Sequence, residues 1–132
     1  NVMYRNDDPE LAAVVDWELT TVGDPLLDMG WIMALWPDDE GASPSETRVT
    51  PWTGFTSIDE LVVHYRAGSS RDTSHLGWYS VLACYKLGLI LEGTYARACA
   101  GQAPVETGKR LHGSCIKLFR RALNWLETDR AA

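Results

Sequence analysis

The sequence predicts an α+β fold dominated by helix, with one β-hairpin followed by about four α-helices. Three observations lead to this prediction. Two short apolar runs flank a cluster of turn residues at the start of the chain, a Gly-Asp-Pro step then opens a helical pattern, and the second half holds two long helical stretches. With 132 residues, 45% of them hydrophobic, the chain can bury a core without disulfides.

The hairpin is predicted from the apolar residues 2–4 and 11–15, which flank turn-forming residues at 5–9. With the turn centred on Asp8 and Pro9, partners in the two strands have numbers that sum to 17. Val2 would then lie opposite Val15, and Met3 opposite Val14.

The same register would place Asn1 opposite Asp16, with both side chains on one face and their Cβ atoms about 5 Å apart. An amide oxygen and a carboxylate are hard oxygen ligands of the kind that Mg²⁺ takes, and its octahedron is completed by water and nucleotide phosphates. We therefore expect residues 1–16 to form a metal-binding hairpin. An Asn and an Asp that close a hairpin are more often purely structural, so the pattern alone leaves both interpretations open.

The helical part, residues 25–132, is expected to contain four helices and one long loop. The first helix opens after Asp24 as its cap, with Pro25 as its first residue. The second opens on a capping box, Ser57 to Glu60. Apolar periodicity and glycine or proline boundaries give the predicted extents: helix 25–36, loop 37–56, and helices at 57–68, 74–100 and 104–128.

Composition and charge exclude several classes of function. The chain has 12 basic and 18 acidic residues, a net charge of -6, and its acids are concentrated in residues 1–60. This balance disfavours nucleic-acid binding, which needs a clustered basic face. No apolar run is long enough to span a membrane. Three separated cysteines and the absence of a leader fit a reducing cytosol, so we expect a cytoplasmic protein and an internal or C-terminal piece of a longer chain.

Three stretches of sequence carry a family resemblance: NVMY at 1–4, AVVDWE at 13–18 and GDPLLDMGW at 23–31. Together they resemble the C-terminal lobe of the aminoglycoside phosphotransferase and choline-kinase-like family, which has a protein-kinase-like fold. In that family a catalytic loop of pattern HGDxxxxN feeds a hairpin whose return strand ends in an Asp-Trp pair. Asn1 is similar to the last residue of that loop. The resemblance therefore implies that the catalytic Asp lies upstream of Asn1.

The resemblance also implies roles for single residues. Asn1 and Asp16 would hold the magnesium that bridges the nucleotide phosphates. Asp28 would be the buried helix aspartate that supports the catalytic loop, and Glu18 would be an auxiliary acid near the metal or an ordinary surface residue. Tyr85, Glu92, Tyr95 and Arg97 are candidate substrate-binding residues, although aromatic residues at helical spacing more often belong to a core.

Residues 16–25 and 91–98 are most similar to the branch of the family found fused to acyl-CoA dehydrogenases. The resemblance implies that residues 1–132 are part of a kinase lobe that uses ATP and Mg²⁺ to phosphorylate a hydroxyl group of a small molecule, with a hydroxyacyl or hydroxy-acid acceptor as one option. It also implies a fused or associated acyl-CoA dehydrogenase as a partner. This piece alone would be inactive. The alternative is a kinase-fold pseudoenzyme that acts as a docking module.

Overall fold

The structure is a computed structural model that describes residues 1–18, 20–38, 41–45 and 53–128. Within these residues the chain forms a two-stranded antiparallel sheet and four helices, which confirms the predicted α+β class. The strands are β1 (Val2–Tyr4) and β2 (Leu11–Val14). The helices are α1 (Leu26–Leu35), α2 (Ile58–Gly68), α3 (Leu76–Cys99) and α4 (Val105–Glu127). Part of the predicted loop 37–56 lies outside the described residues.

The hairpin register differs from the prediction by one residue at the open end and by two residues next to the turn. Val2 pairs with Val14 and Met3 with Ala13, whereas Tyr4 pairs with Leu11. Ala12 is therefore an extra residue in β2, a bulge of the kind that shifts one strand against its partner.

The predicted pairing of Asn1 with Asp16 is consequently wrong. Next to the turn, the Arg5 amide donates to the Glu10 carbonyl at 3.1 Å, so partner numbers there sum to 15 instead of the predicted 17. At the open end, the Val15 amide donates to the Asn1 carbonyl at 2.9 Å, so Val15 lies opposite Asn1. Asp16 follows one residue beyond the paired ladder.

The helical core is built on the antiparallel pair α3 and α4. Tyr85 contacts Phe119, and Tyr95, further along α3, contacts His112, which lies earlier in α4. The two helices are therefore antiparallel. One stripe of α4 faces this core, with Cys115, Leu118, Ala122 and Trp125 all buried. Helix α1 also packs on α3, and its Ala34 belongs to the same buried cluster as Leu118 and Trp125 of α4.

Helix α1 approaches α3 closely because it carries a glycine at the crossing point. A Cβ atom built on Gly30 would lie 2.6 Å from the Tyr79 carbonyl oxygen and 3.0 Å from the Ser80 nitrogen. These are backbone atoms of α3, which cannot move aside as a flexible side chain can. The position therefore requires glycine if the two helices are to keep their spacing.

An arginine from α4 holds the C-terminal end of α1. Nη1 of Arg121 donates to the carbonyl oxygens of Met33, Ala34 and Trp36 at 3.3, 3.1 and 2.6 Å. The last carbonyls of a helix have no partner within the helix, so this guanidinium satisfies groups that would otherwise need water. The same guanidinium lies 5.9 Å from the ring centroid of Trp125.

The three cysteines are free thiols in different surroundings. Burial raises the pKa of Cys84 to about 11. Burial, and secondarily the neighbouring Glu92 carboxylate, raises the pKa of Cys115. Cys99 lies exposed in the last turn of α3. Because a thiol must be accessible to react with a reagent in solution, Cys99 is the cysteine that we expect to react in the folded chain.

We expect Gly30→Ala to lower the free energy of unfolding by about 1–3 kcal/mol, because the added methyl group overlaps the α3 backbone. Gly93→Ala is the matched control, since it lies inside α3 with open space around its Cβ position. That change should raise stability by about 0.5–1 kcal/mol through helix propensity. Urea unfolding of both variants measures the difference between their free energies of unfolding. Equal changes at Gly30 and Gly93 would contradict the close approach of α1 to α3.

We expect Arg121→Gln to lower the free energy of unfolding by about 1.5–3 kcal/mol. The change removes charged hydrogen bonds to carbonyl oxygens at the C-terminal end of α1. Arg120→Gln, the exposed neighbour, should change stability by no more than about 0.5 kcal/mol. Chemical denaturation measures the free energy of unfolding of both variants. An Arg121 variant as stable as the parent chain would show that the carbonyls of α1 have other adequate partners.

Iodoacetamide at pH 8 is expected to modify one cysteine of the folded chain and three of the chain in denaturant, as counted by mass spectrometry. Cys99→Ser should leave the folded chain unmodified at the same reagent concentration. Rapid modification of Cys84 under native conditions would disprove the protection that we ascribe to burial.

Candidate functional site

Asp16 adopts a backbone conformation that is rare for its residue type. Its φ is 63°, and it is the single non-glycine residue with positive φ in the described part of the chain. The left-handed region costs a residue with a Cβ atom roughly 1–2 kcal/mol, although Asp and Asn tolerate it better than most. Such outliers concentrate at functional sites, where the surrounding structure fixes an otherwise unfavourable conformation.

The side-chain oxygens of Asn1 and Asp16 are accessible at the open end of the hairpin. Both residues are exposed, and neither side chain has a hydrogen-bonding partner within the ranges that the structure describes. The backbone around them is ordered by the bond from the Val15 amide to the Asn1 carbonyl. An amide oxygen and a carboxylate are therefore presented on a fixed backbone with their lone pairs unused.

The residues after Asp16 form a short turn. Trp17 donates from Nε1 to the Val14 carbonyl at 2.8 Å, and its own carbonyl accepts from the Thr20 amide at 3.0 Å. The indole thus folds back on β2 even though 62% of its surface is exposed. Glu18, in the same turn, is exposed to solvent.

The donor set of the hairpin fits a hard cation that keeps open coordination positions. Asn1, Asp16 and Glu18 offer oxygen atoms, which suits Mg²⁺ better than a soft metal. No group of three His, Cys, Asp or Glu side chains in the described ranges lies close enough together to hold a metal by itself. Such a cation would need ligands from outside these residues, such as phosphate oxygens and water.

Asp24 links the start of α1 to α3. Its Oδ1 accepts from the Leu26 amide at 2.9 Å, which is the capping hydrogen bond that the sequence predicted. Its Oδ2 accepts from the Tyr79 hydroxyl at 3.1 Å, a contact between residues 55 positions apart that no local pattern predicts. Loss of solvent around the ring and the hydrogen bond to Asp24 raise the pKa of Tyr79.

Asp28 lies exposed in the first turn of α1, where its charge is favourable for the helix dipole. The family resemblance assigns it to the support of a catalytic loop. The sequence contains no His-Gly-Asp segment, so the partner that this role requires is not present in the 132 residues.

Three of the four candidate substrate residues contact α4. Tyr85 stacks on Phe119 with ring centroids 6.4 Å apart, and Tyr95 stacks on His112 at 4.4 Å. Glu92 places Oε2 at 2.8 Å from His112 Nδ1. These contacts give the three side chains packing roles between the helices, whereas Arg97 is exposed near the end of α3.

The sequence did not predict the cluster formed by Glu92 and His112. The two residues are 20 positions apart, and the antiparallel packing of α3 on α4 brings them together. Each side chain is more than one-third exposed, so their contact contributes little to stability by itself. The ring of Tyr95 covers one face of the imidazole and completes the cluster.

Among the residues that the structure describes, no helix is long and apolar enough to cross a membrane.

A comparison with known families matches residues 1–61 to the phosphotransferase enzyme family. The match covers the hairpin, Asp16, helix α1 and the start of α2. The resemblance to aminoglycoside phosphotransferases inferred from the sequence is therefore confirmed for this part of the chain. No solved structure gives a significant match.

Curated relatives extend the similarity beyond residue 61. The chain is 27% identical to "Acyl-CoA dehydrogenase family member 11" of Rattus norvegicus, over 94% of this chain and 17% of that protein. It is 29% identical to the Gallus gallus protein of the same name over 81% of this chain and 14% of that protein. "Acyl-CoA dehydrogenase family member 10" of Mus musculus is 24% identical to the chain, over 83% of this chain and 11% of that protein. The chain spans less than one-fifth of these relatives.

Proposed function

We propose, on the premise that residues 1–61 match the phosphotransferase enzyme family, that the chain is the C-terminal part of an ATP- and Mg²⁺-dependent kinase of small molecules. The reaction would transfer a phosphoryl group from ATP to a hydroxyl group of the acceptor. The hairpin is the part of the chain proposed to take part in this chemistry, and the helices α1, α3 and α4 form the body that carries it.

The observation that carries the proposal is the backbone of Asp16. Asp16 is an acidic residue at φ 63° that makes no side-chain contact in the described residues that would require the acid. The constraint is understandable if the carboxylate must point at a ligand of opposite charge. The Asp-Trp pair at this position is also what the matching family places at the end of its hairpin.

In the proposed site Asn1 and Asp16 bind a magnesium ion, and Glu18 supplies additional negative charge near it. A magnesium ion bound there would neutralise charge on the phosphates and orient them for attack. The chain's own contribution is to present these oxygens at the open end of the hairpin, next to the hydrogen bond from the Val15 amide to the Asn1 carbonyl. Asp28, in the first turn of α1, is proposed to anchor the catalytic loop from the helical side.

The 132 residues are not expected to catalyse phosphoryl transfer alone. The aspartate that accepts the acceptor's proton belongs, in the family pattern, to the loop that precedes Asn1, and the phosphate-binding lysine lies further upstream. We therefore place activity in a longer protein that contains this chain.

The acceptor is proposed to be a hydroxyacyl or hydroxy-acid compound, because the relatives carry the name of acyl-CoA dehydrogenase family members. An acyl-CoA dehydrogenase fused to or associated with the kinase would be its partner. On this chain Arg97 has an exposed guanidinium that suits a carboxylate or phosphate of the acceptor. Tyr85, Glu92 and Tyr95 would contribute only if the contacts with α4 rearranged.

The proposal predicts a specific effect of Asp16→Asn in the longer protein. Asparagine tolerates the left-handed backbone, so the change removes the charge and leaves the conformation allowed. ADP release with Mg-ATP should depend on an acceptor from a panel of hydroxy acids, hydroxyacyl-CoAs, choline-like alcohols and aminoglycosides. In the variant the rate should fall by at least about 100-fold, the order expected when a preorganised electrostatic contact is lost.

Asp7→Asn is the matched control, because Asp7 is an exposed acid in the turn at the far end of the same hairpin. Its activity should equal that of the parent protein. A parent protein that turns over no acceptor and does not bind ATP with magnesium would overturn the proposal and favour the docking-module interpretation. Equal activity of the Asp16 variant and the parent would overturn the metal assignment.

A further inference from the structure

Helix α3 carries an apolar stripe that faces solvent. Its members recur at intervals of four, three and four residues, and they are Trp78, Leu82, Tyr85 and Leu89. About half of the surface of three of them is exposed, and Leu82 is half-buried. Alternation of four and three residues places side chains along one line of a helix. In coiled coils and helix bundles, this line is the one through which helices contact each other.

Helix α4 carries a matching stripe beside the first. Its members recur at intervals of three, four and three residues, and they are Ile116, Phe119, Leu123 and Leu126. The rings of Tyr85 and Phe119 stack with their centroids 6.4 Å apart, which joins the two stripes near their middle. Because α3 and α4 are antiparallel, Trp78 and Leu126 lie at the same end. The two stripes therefore form one continuous surface, which we call the bundle face.

The bundle face points away from α1. Arg121, which binds the last carbonyls of α1, is two residues from Phe119 and two residues from Leu123. Two residues correspond to a rotation of about 200° around a helix. The bundle face is thus on the side of α4 opposite to α1, and no residue of the hairpin belongs to it. Whatever covers this face does not depend on the proposed metal site or on the proposed kinase activity.

The composition and area of the bundle face are those of an interface between proteins. None of its eight positions is charged and three are aromatic. Interfaces between copies of one chain show the same depletion of charge and enrichment in Trp, Tyr and Phe. Six of the side chains are 40–57% exposed, which leaves roughly 600 Å² in contact with water, and a standard interface buries about 800 Å² of each partner. Apolar patches of this size mark interaction sites.

We propose that the bundle face is covered by the bundle face of a second copy of the chain, which gives a symmetric dimer with a four-helix bundle at its centre. A helix is about 10 Å wide, and the axes of packed helices are about 8–10 Å apart, so a face that spans two helices is covered best by a pair of helices. A second copy related by a two-fold axis offers such a pair, with stripes of the same spacing.

The test is sedimentation equilibrium of the 132-residue chain over a range of concentrations. We expect the mass of two chains, with dissociation to one chain on dilution and no larger species. Leu123→Glu brings two unpaired carboxylates into the apolar interface of each dimer. It should therefore weaken association by at least about 100-fold. Leu89→Glu introduces the same charge from α3 and should have the same effect.

Two control variants add the same charge to other exposed apolar positions. Val63→Glu changes a helical residue of α2, and Met3→Glu changes a residue of the hairpin, whose apolar side chains are also exposed. Both variants should associate as the parent chain does. All four substituted side chains are at least half exposed, so the changes should leave the fold of the single chain intact. Circular dichroism and urea unfolding verify this.

Two outcomes would overturn the proposal. A parent chain that sediments as a single copy at every concentration would exclude a second copy as the occupant and would favour another segment of the longer protein. Association that is lost in Met3→Glu and kept in Leu123→Glu and Leu89→Glu would place the contact at the hairpin. If one of the two bundle-face variants does not fold, the other one decides the test.

Discussion

The helical body depends on close approach between helices at glycine positions. At Gly30 the backbone of α3 occupies the space of a Cβ atom, and at Gly88 and Gly108 the obstruction comes from the Phe119 ring and the Ala98 methyl group. These contacts fix the distance of α1 and α4 from α3. The other interactions between helices follow from that spacing, including the reach of Arg121 to the last carbonyls of α1 and the contact of Glu92 with His112.

The hairpin is stabilised differently from this body. Its strands are exposed on both faces, with about half of the surface of Val2, Met3 and Leu11 accessible, and a two-stranded sheet has little stability of its own. Its order comes from the ladder, from the turn and from the indole of Trp17 against β2. The unfavourable conformation of Asp16 thus occurs in the least stabilised element of the fold. In the proposed account, a cation and the phosphates that it binds supply the missing interactions.

Features that depend on residues close together in the sequence were predicted, and features that depend on packing between distant residues were not. The capping box at Ser57 and Glu60 placed the start of α2 correctly, because its hydrogen bonds lie within four residues. Asp16 was predicted to be a metal ligand from a local motif, the Asp-Trp pair after the second strand, and that role stays a prediction. The hairpin register was not predictable, because the bulge at Ala12 is a backbone irregularity without a side-chain signature. The Glu92–His112 contact was missed because it depends on how two long helices pack.

The most direct test of the central claim, that the hairpin end holds a divalent cation, is cleavage mapping with Fe²⁺ in place of Mg²⁺ in the longer protein with ATP. Radicals generated at the bound iron by ascorbate and peroxide cut the backbone close to the metal, and mass spectrometry locates the cuts. If the hairpin end binds the cation, cuts are expected near Asn1 and at residues 15–18, and these cuts should disappear with excess Mg²⁺ and in the Asp16→Asn variant. Cuts confined to other segments, or cuts at the hairpin that persist in that variant, would contradict it.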